Sequence, residues 1–299
     1  MKRKTFVYVV AVVLIMNTVS NPCTFFMSTI NGITFFGNNE DSHMPQTNVW
    51  FIPPKEGKHG YVYFGYINGW PQGGMNDQGL CFDGASTARV NIEFSPDKKS
   101  YQGVLLDRIM EECAMVAEVI EYNETYKFLG LNIQGQLMFV DKSGDAVVIG
   151  GPDKNNDIDI IPKEGKFLVL TNFFPNHPEM GGYPCWRYNT ATNMLKKNPE
   201  PSVENFRSIL KAVSNSTQYS NIFDLNYQAI YIYYKANFED VVHMNLEDEF
   251  KKGAHAYRIG LLFPGSGWNE NLEDLNELRE KGRISRRIPK FIEYKKYPK

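Results

Sequence analysis

Chemistry in this chain centres on Cys23 and on what precedes it. Lys2, Arg3 and Lys4 form a positive patch, an apolar run follows from Phe6 to Met16, and the small residues Thr18 and Ser20 flank a cut after Ser20. That order of charge, apolar stretch and small residues is the pattern of a secretory leader. Residues 1–20 therefore read as a signal peptide and 21–22 as a short propeptide, and the protein is expected to be exported. Loss of Asn21-Pro22 would make Cys23 the first residue. A cysteine so placed carries a thiol with an ordinary pKa of about 8.5 and an α-amine of about 7.7–8.0, both near working pH. The amine can take the thiol proton and later return it to a leaving nitrogen, with no histidine required. Two other fates are open to a cysteine after an apolar segment, a lipid anchor and one half of a disulfide. Position alone does not choose among them.

Downstream polar clusters supply candidate partners in a definite order. Gly37-Asn38-Asn39-Glu40-Asp41 comes first, then Gly74-Met75-Asn76-Asp77-Gln78-Gly79-Leu80, then Leu170-Thr171-Asn172. Pro184-Cys185-Trp186-Arg187-Tyr188 closes the series and places one arginine at the start of a helix. Taken singly, each has an ordinary explanation, since Asn and Gly serve turns and an arginine serves a surface.

In this order, behind Cys23-Thr24, the set resembles the choloylglycine hydrolase family of linear-amide hydrolases, which includes bile salt hydrolases and penicillin V acylases. The resemblance runs from Cys23 to about Tyr188. It implies a four-layer αββα N-terminal-nucleophile sandwich of the α+β class, spanning residues 23–299, and cleavage of a linear, non-peptide N-acyl amide without a cofactor. Cys23 would be the nucleophile and its α-amine the base. Asp41 would accept a hydrogen bond from the Cys23 end. Asn172, together with the Asn76 region, would donate to the oxyanion, and Arg187 would lie near the sulfur. One departure stands out: Asn38 occupies the place where the family carries an arginine in Gly-Arg-Asn-x-Asp, and Asn cannot replace a fixed charge. The short interval from Asn172 to Arg187 also omits an insertion that supports the tetramer of bile salt hydrolases, so a homo-oligomer is left open. An acyltransferase of the same family and an exported binding protein on the same fold are the alternative functions.

The elements that must position these residues alternate between sheet and helix. Asn31-Gly32 between two apolar runs signals a hairpin, joining Cys23–Ser28 to Ile33–Phe36. Further strands are expected at Val49–Ile52, Tyr61–Ile67, Leu80–Ala85, Leu131–Val140, Ala146–Gly150, Asp157–Ile161 and Phe167–Thr171. Aromatic-rich strands follow near Tyr227–Tyr234 and Tyr257–Phe263. Leu105, Ile109, Cys113, Val116 and Ile120 recur at the helical period and predict one helix over 104–122. Shorter helices fit Trp186–Lys197 and Val203–Val213, the second capped by Ser202. With no repeat or Ser/Gly-rich linker, this is one α+β domain with its sheets packed between helices. The aromatic pairs Phe25-Phe26, Phe35-Phe36 and Phe173-Phe174 border the motifs and could line an apolar acyl pocket or fill core strands.

Composition narrows the function classes. The chain has 299 residues, 42% hydrophobic and 22% charged, with a net charge of −2. That excludes a disordered chain and gives no basic field for nucleic acid. The leader takes three cations and no acid with it, leaving a more acidic mature chain. Its apolar run falls short of the roughly 20 residues a spanning helix needs, so no stable membrane insertion is expected after its removal. Neither Cys-x-x-Cys nor His-Glu-x-x-His occurs, so no metal is expected. Four cysteines, Cys23, Cys81, Cys113 and Cys185, show no close-spaced disulfide framework. The basic stretch from Arg279 to Lys299 reads as a solvated tail. The expected partner is a small-molecule N-acyl amide.

Overall fold

The Asn31-Gly32 turn forms as its sequence dictates. Asn31 (φ +52°) and Gly32 (φ +77°) are both left-handed, which matches the twist of the strands they join. β1 (Thr24–Ile30) and β2 (Ile33–Asp41) pair from Ile30 opposite Ile33 out to Thr24 opposite Asn39. The computed structural model describes residues 23–295. The predicted leader, the propeptide and the last residues of the tail lie outside the described residues.

The chain then builds a second sheet from β3 (Thr47–Ile52), β4 (Tyr61–Tyr66), β5 (Pro71–Asn76) and β6 (Cys81–Ala85). Helices α1 (Leu105–Glu112) and α2 (Val116–Thr125) intervene before β7 (Gln136–Val140), β8 (Ala146–Pro152) and β9 (Ile158–Pro162) complete that side. β10 (Phe167–Leu170) returns to the first sheet and pairs with β1. Next come α3 (Trp186–Lys197), α4 (Val203–Val213), β11 (Thr217–Asp224), β12 (Ala229–Tyr234) and β13 (Asn237–Asn245). The chain ends in α5 (Leu246–Phe250), β14 (His255–Arg258) and α6 (Leu272–Glu280). One sheet runs β10-β1-β2-β11-β12-β13 and the other β14-β3-β4-β5-β6-β7-β8-β9, with antiparallel neighbours throughout.

Alternation along the strands sorts the apolar side chains into three cores. Phe25, Met27 and Phe36 meet Val62, Phe64 and Met138 between the sheets. Phe26 and Phe35 face the other way, against Phe206 of α4. Tyr63, Phe82 and Phe139 cover the far side of the second sheet beneath Leu106, Ile109 and Val119 of α1 and α2. The result is helices, sheet, sheet, helices: the α+β, αββα sandwich. Each fully buried side chain of α4 (Phe206, Ile209, Leu210, Val213) contributes about 1.5–3 kcal/mol, which holds that helix pair on the first sheet.

Three expectations are corrected. The single helix over 104–122 is two, broken at Cys113–Met115. There the side chain of Asn76 takes the carbonyls of Met110 (3.0 Å) and Cys113 (2.8 Å), and Glu118 accepts from the amides of Ala114 and Met115. Hydrogen bonds to side chains thus end one helix and start the next. The basic C-terminal stretch is no solvated tail through residue 292. Ile284, Ile288 and Phe291 are buried beside α6, and Arg287 grips both oxygens of Asp107. Finally, the strand expected over Tyr257–Phe263 is β14 followed by a short 3₁₀ turn, Ile259–Leu262. α3 and α4 begin and end as expected, and Ser202 caps the second through its hydroxyl. All four cysteines are buried, and no disulfide forms among the described residues. No described helix is long and apolar enough to cross a membrane.

Candidate active site

Hairpin register decides which way Cys23 points. Thr24 lies opposite Asn39, so the next step back sets Cys23 opposite Glu40, and the period of two sends both side chains into the space between the sheets. The Cys23 thiol donates to Oε2 of Glu40 at 3.6 Å. The other oxygen of Glu40 accepts from the Tyr66 hydroxyl at 2.6 Å. Cys23 and Glu40 lie at the floor of a cavity of about 510 Å³. Its walls are mainly apolar, from Leu105 and Leu106 of α1 and from Phe128, Leu129, Leu131 and Leu137.

The main chain of Cys23 is held from the opposite face of the sheet. Arg187, in the first turn of α3, donates to the Cys23 carbonyl and to the Thr24 hydroxyl. Its second terminal nitrogen donates to Oδ1 of Asn172 at 2.9 Å. Asn172 follows β10, the strand beside β1, and its amide donates to the Ser86 carbonyl at 2.8 Å. Ser86, just beyond β6, lines the cavity. Asp41 ends β2, one register step past the Cys23–Glu40 pair, on the α3 side. One of its oxygens accepts from Thr217, and the other is buried with no hydrogen-bond partner.

The fold is that of penicillin V acylase and of conjugated bile acid hydrolase. Penicillin V acylase from Agrobacterium tumefaciens superposes with a TM-score of 0.61 at 15% identity, covering 75% of this chain and 86% of that one. Two variants of conjugated bile acid hydrolase from Clostridium perfringens give TM-scores of 0.57 and 0.54 at 17% and 18% identity. They cover 78% and 76% of this chain and 95% and 93% of theirs. No family model and no curated protein matches the chain in sequence. The αββα sandwich expected from the motifs is thus the fold that these structures share.

Within that fold the structure brings together Cys23, Asp41, Asn172 and Arg187, and sets Asn76 apart. Asn76 lies at the end of β5 on the α1 side. Both hydrogens of its amide go to helix carbonyls, and its oxygen accepts from the amides of Gln78 and Leu80. A role as an oxyanion donor is therefore corrected to a structural one, closing a turn and ending α1. Arg187, expected near the sulfur, makes its hydrogen bond to Cys23 at the carbonyl. The aromatic pairs do not line the cavity either. Phe25 and Phe36 stack between the sheets, Phe26 and Phe35 sit under α4, and Phe173 packs on Tyr183 and Tyr188.

Electrostatically the site is acidic. Burial pushes the Cys23 thiol up, and the charges of Glu40, Asp83 and Asp41 push it further. Burial also raises Glu40 to about 7, against the pull of its bonds from Tyr66 and Cys23. Asp41 rises to about 7 by burial, against Thr217 and the charge of Arg187. Asp83, on β6, is raised by burial and by Glu40. Asn38 lies one alternate position along β2 from Glu40 and opposite Asn221 of β11. Neither amide has a hydrogen-bond partner. So where the related motif carries a cation, this site has a neutral amide flanked by a carboxylate. The thiol is protonated at neutral pH in this environment, and its activation needs a base within reach.

Sequence reasoning missed Glu40, Tyr66, Asp83 and the cavity walls. A signal for Glu40 existed: equal steps back from the Asn31-Gly32 turn set position 40 opposite position 23. None existed for the part of the walls that comes from irregular chain at 101–104 and 127–135.

Proposed function

We propose that the chain is an exported cysteine N-terminal-nucleophile amidohydrolase that cleaves linear, non-peptide N-acyl amides through a thioester on Cys23. The observation that carries this is a single arrangement. Cys23 opens a strand of an αββα sandwich with its sulfur facing an apolar cavity and its carbonyl fixed by Arg187. Once Cys23 is N-terminal, its α-amine takes the thiol proton and the sulfur attacks the amide carbon. The oxyanion takes its hydrogen bond from the side-chain amide of Asn172; one such donor is worth about 2.7–4 kcal/mol. Collapse breaks the C–N bond, the α-amine returns its proton to the leaving nitrogen, and water then hydrolyses the thioester. Asp41, whose charge acts on Cys23, would accept a hydrogen bond from the new amine. Maturation follows from the same thiol: Cys23 attacks the Pro22 carbonyl and releases the residues before it.

A panel of N-acyl amides tests the reading, with an acyl adduct on Cys23 sought by mass spectrometry. An adduct on the wild type that is absent from Cys23→Ala is the expected result. The raised thiol pKa and the neutral Asn38 favour a second reading, a binding protein on the same fold. Neither adduct nor turnover, with the Cys23 amine confirmed free, would select it.

A further inference from the structure

The α-amine that serves as base in the mature enzyme is of no use while Cys23 is still joined to Pro22. An amide nitrogen has given its lone pair to the carbonyl and accepts no proton near neutral pH. Self-processing, on which this inference rests, therefore needs a different proton acceptor for the thiol. The structure offers a carboxylate in contact with the sulfur, Glu40, at 3.6 Å.

We propose that Glu40 is the base of the self-processing step, taking the Cys23 thiol proton as sulfur attacks the Pro22 carbonyl. A bond forms between Sγ and the carbonyl carbon while the thiol proton moves to Oε2. On collapse the C–N bond breaks and Glu40 passes the proton to the Cys23 nitrogen, leaving a free amine and a Pro22 thioester. Solvent water then hydrolyses the thioester, which restores the thiol and releases a peptide ending in a Pro22 carboxylate. Glu40 starts and ends ionised, so atoms and charge balance.

The surroundings suit the task. Tyr66 from β4 donates to the far oxygen and orients the carboxylate. Asp83 from β6 and Tyr219 from β11 face it, and Asp41 adjoins it on β2. No Lys or Arg among the described residues forms an ion pair with Glu40, so only the hydrogen bonds from Tyr66 and Cys23 oppose the effect of burial on its basicity. Burial brings Glu40 to about 7, where acceptance and return are both accessible.

Full-length chain, followed by intact mass as the residues before Cys23 are released, provides the test. Glu40→Gln should slow release by about a hundredfold, within the usual range for a positioned base, and Glu40→Asp should restore part of it. Tyr66→Phe removes a bond that favours ionised Glu40, so the half-maximal pH of release should move upward; this variant decides the matter if Glu40→Gln does not fold. Release from Glu40→Gln at the wild-type rate, or a Tyr66→Phe profile superimposed on the wild type, overturns the proposal. Loss of the upstream residues from Cys23→Ala would overturn self-processing itself. Retention in Cys23→Ala with normal release from Glu40→Gln would overturn only the role of Glu40.

Discussion

Arg187 joins the carbonyl of Cys23 to the side chain of Asn172, and in doing so ties α3 to the start of β1 and to the end of β10. Arg187 is only 5% exposed, and the three acceptors of its guanidinium are neutral oxygens. Its fork fits them because its donors diverge in one plane. The consequence is a division of labour by sheet face. The backbone of Cys23 is held from the helix side, while its sulfur is left to the cavity.

Arg187→Lys should accordingly fail to replace the arginine. A single ammonium cannot reach three acceptors on different elements, and charged hydrogen bonds are worth about 1.5–3 kcal/mol each. Urea unfolding should report a loss of about 3 kcal/mol, and turnover of the folded fraction should fall at least about tenfold, equivalent to about 1.4 kcal/mol in the barrier. A lysine variant with wild-type stability and rate would remove this account.

Asn76 and Asn172 should separate cleanly on mutation. Asn76→Ala strands two buried helix carbonyls at about 1–3 kcal/mol each, so stability drops while kcat of the folded protein holds. Asn172→Ala should lower kcat by about 10²–10³, the usual cost of an oxyanion donor. Denaturation curves and active-site-titrated kinetics on both variants distinguish the roles; the reverse pattern would restore Asn76 to the reaction.

Much of this was legible because hairpin and helix signals are local. Asn31-Gly32 sets the register, and Ser202 caps α4. β5 was not legible, since Pro71-Gln72-Gly73-Gly74 reads as a loop. Yet a Cβ on Gly73 would come within 2.2 Å of an Asp83 oxygen, and one on Gly74 within 2.3 Å of the Val62 carbonyl. Those glycines are strand residues because neighbouring chain comes close, a tertiary fact with no pattern in sequence. β11 was hidden similarly: Ser220 and Asn221 are polar yet fully buried, which breaks the alternation a strand normally displays. The four candidate residues that converge lie at strand ends or a helix start, where motif order tracks fold. Asn76 misled because an asparagine before Gly-Leu serves a turn as readily as a reaction.

The cavity walls predict how acyl length is measured. If the acyl chain lies between Leu106 and Leu131, each added methylene should raise kcat/KM about fourfold, from about 0.8 kcal/mol per buried CH₂, until the cavity is full. Leu131→Trp takes up part of that volume, so its optimum should shift to shorter chains while the shortest amides react as before. Length profiles that coincide for the two proteins would place the acyl group elsewhere.

The C-terminal stretch makes a prediction that a solvated tail would not. Ile288 is fully buried under α6 and the second sheet. Ile288→Ala should therefore cost about 2–5 kcal/mol, against less than about 0.5 for an exposed site. Thermal unfolding decides. A normal Tm would mean that residues 284–292 contribute nothing to the fold.

Acidity should stabilise the chain in a window set by its buried carboxyls. Glu40 and Asp41 are raised by burial to about 7 in the folded state, against about 4 in an unfolded chain. Between those values the folded state binds more protons than the unfolded one, so stability falls as pH rises. Their contribution is complete below about pH 4 and lost as pH passes through about 7. Carboxyls shifted the other way, Glu249, Glu277 and Glu179, lose their contribution only below the ordinary carboxylate range and do not oppose this trend above pH 5. Tm should therefore be higher at pH 5 than at pH 8, and Glu40→Gln, which cannot titrate, should flatten the slope. A Tm that climbs from pH 5 to pH 8 would mean that these carboxylates are ionised in the folded chain throughout, and that the acidic floor of the cavity is solvated.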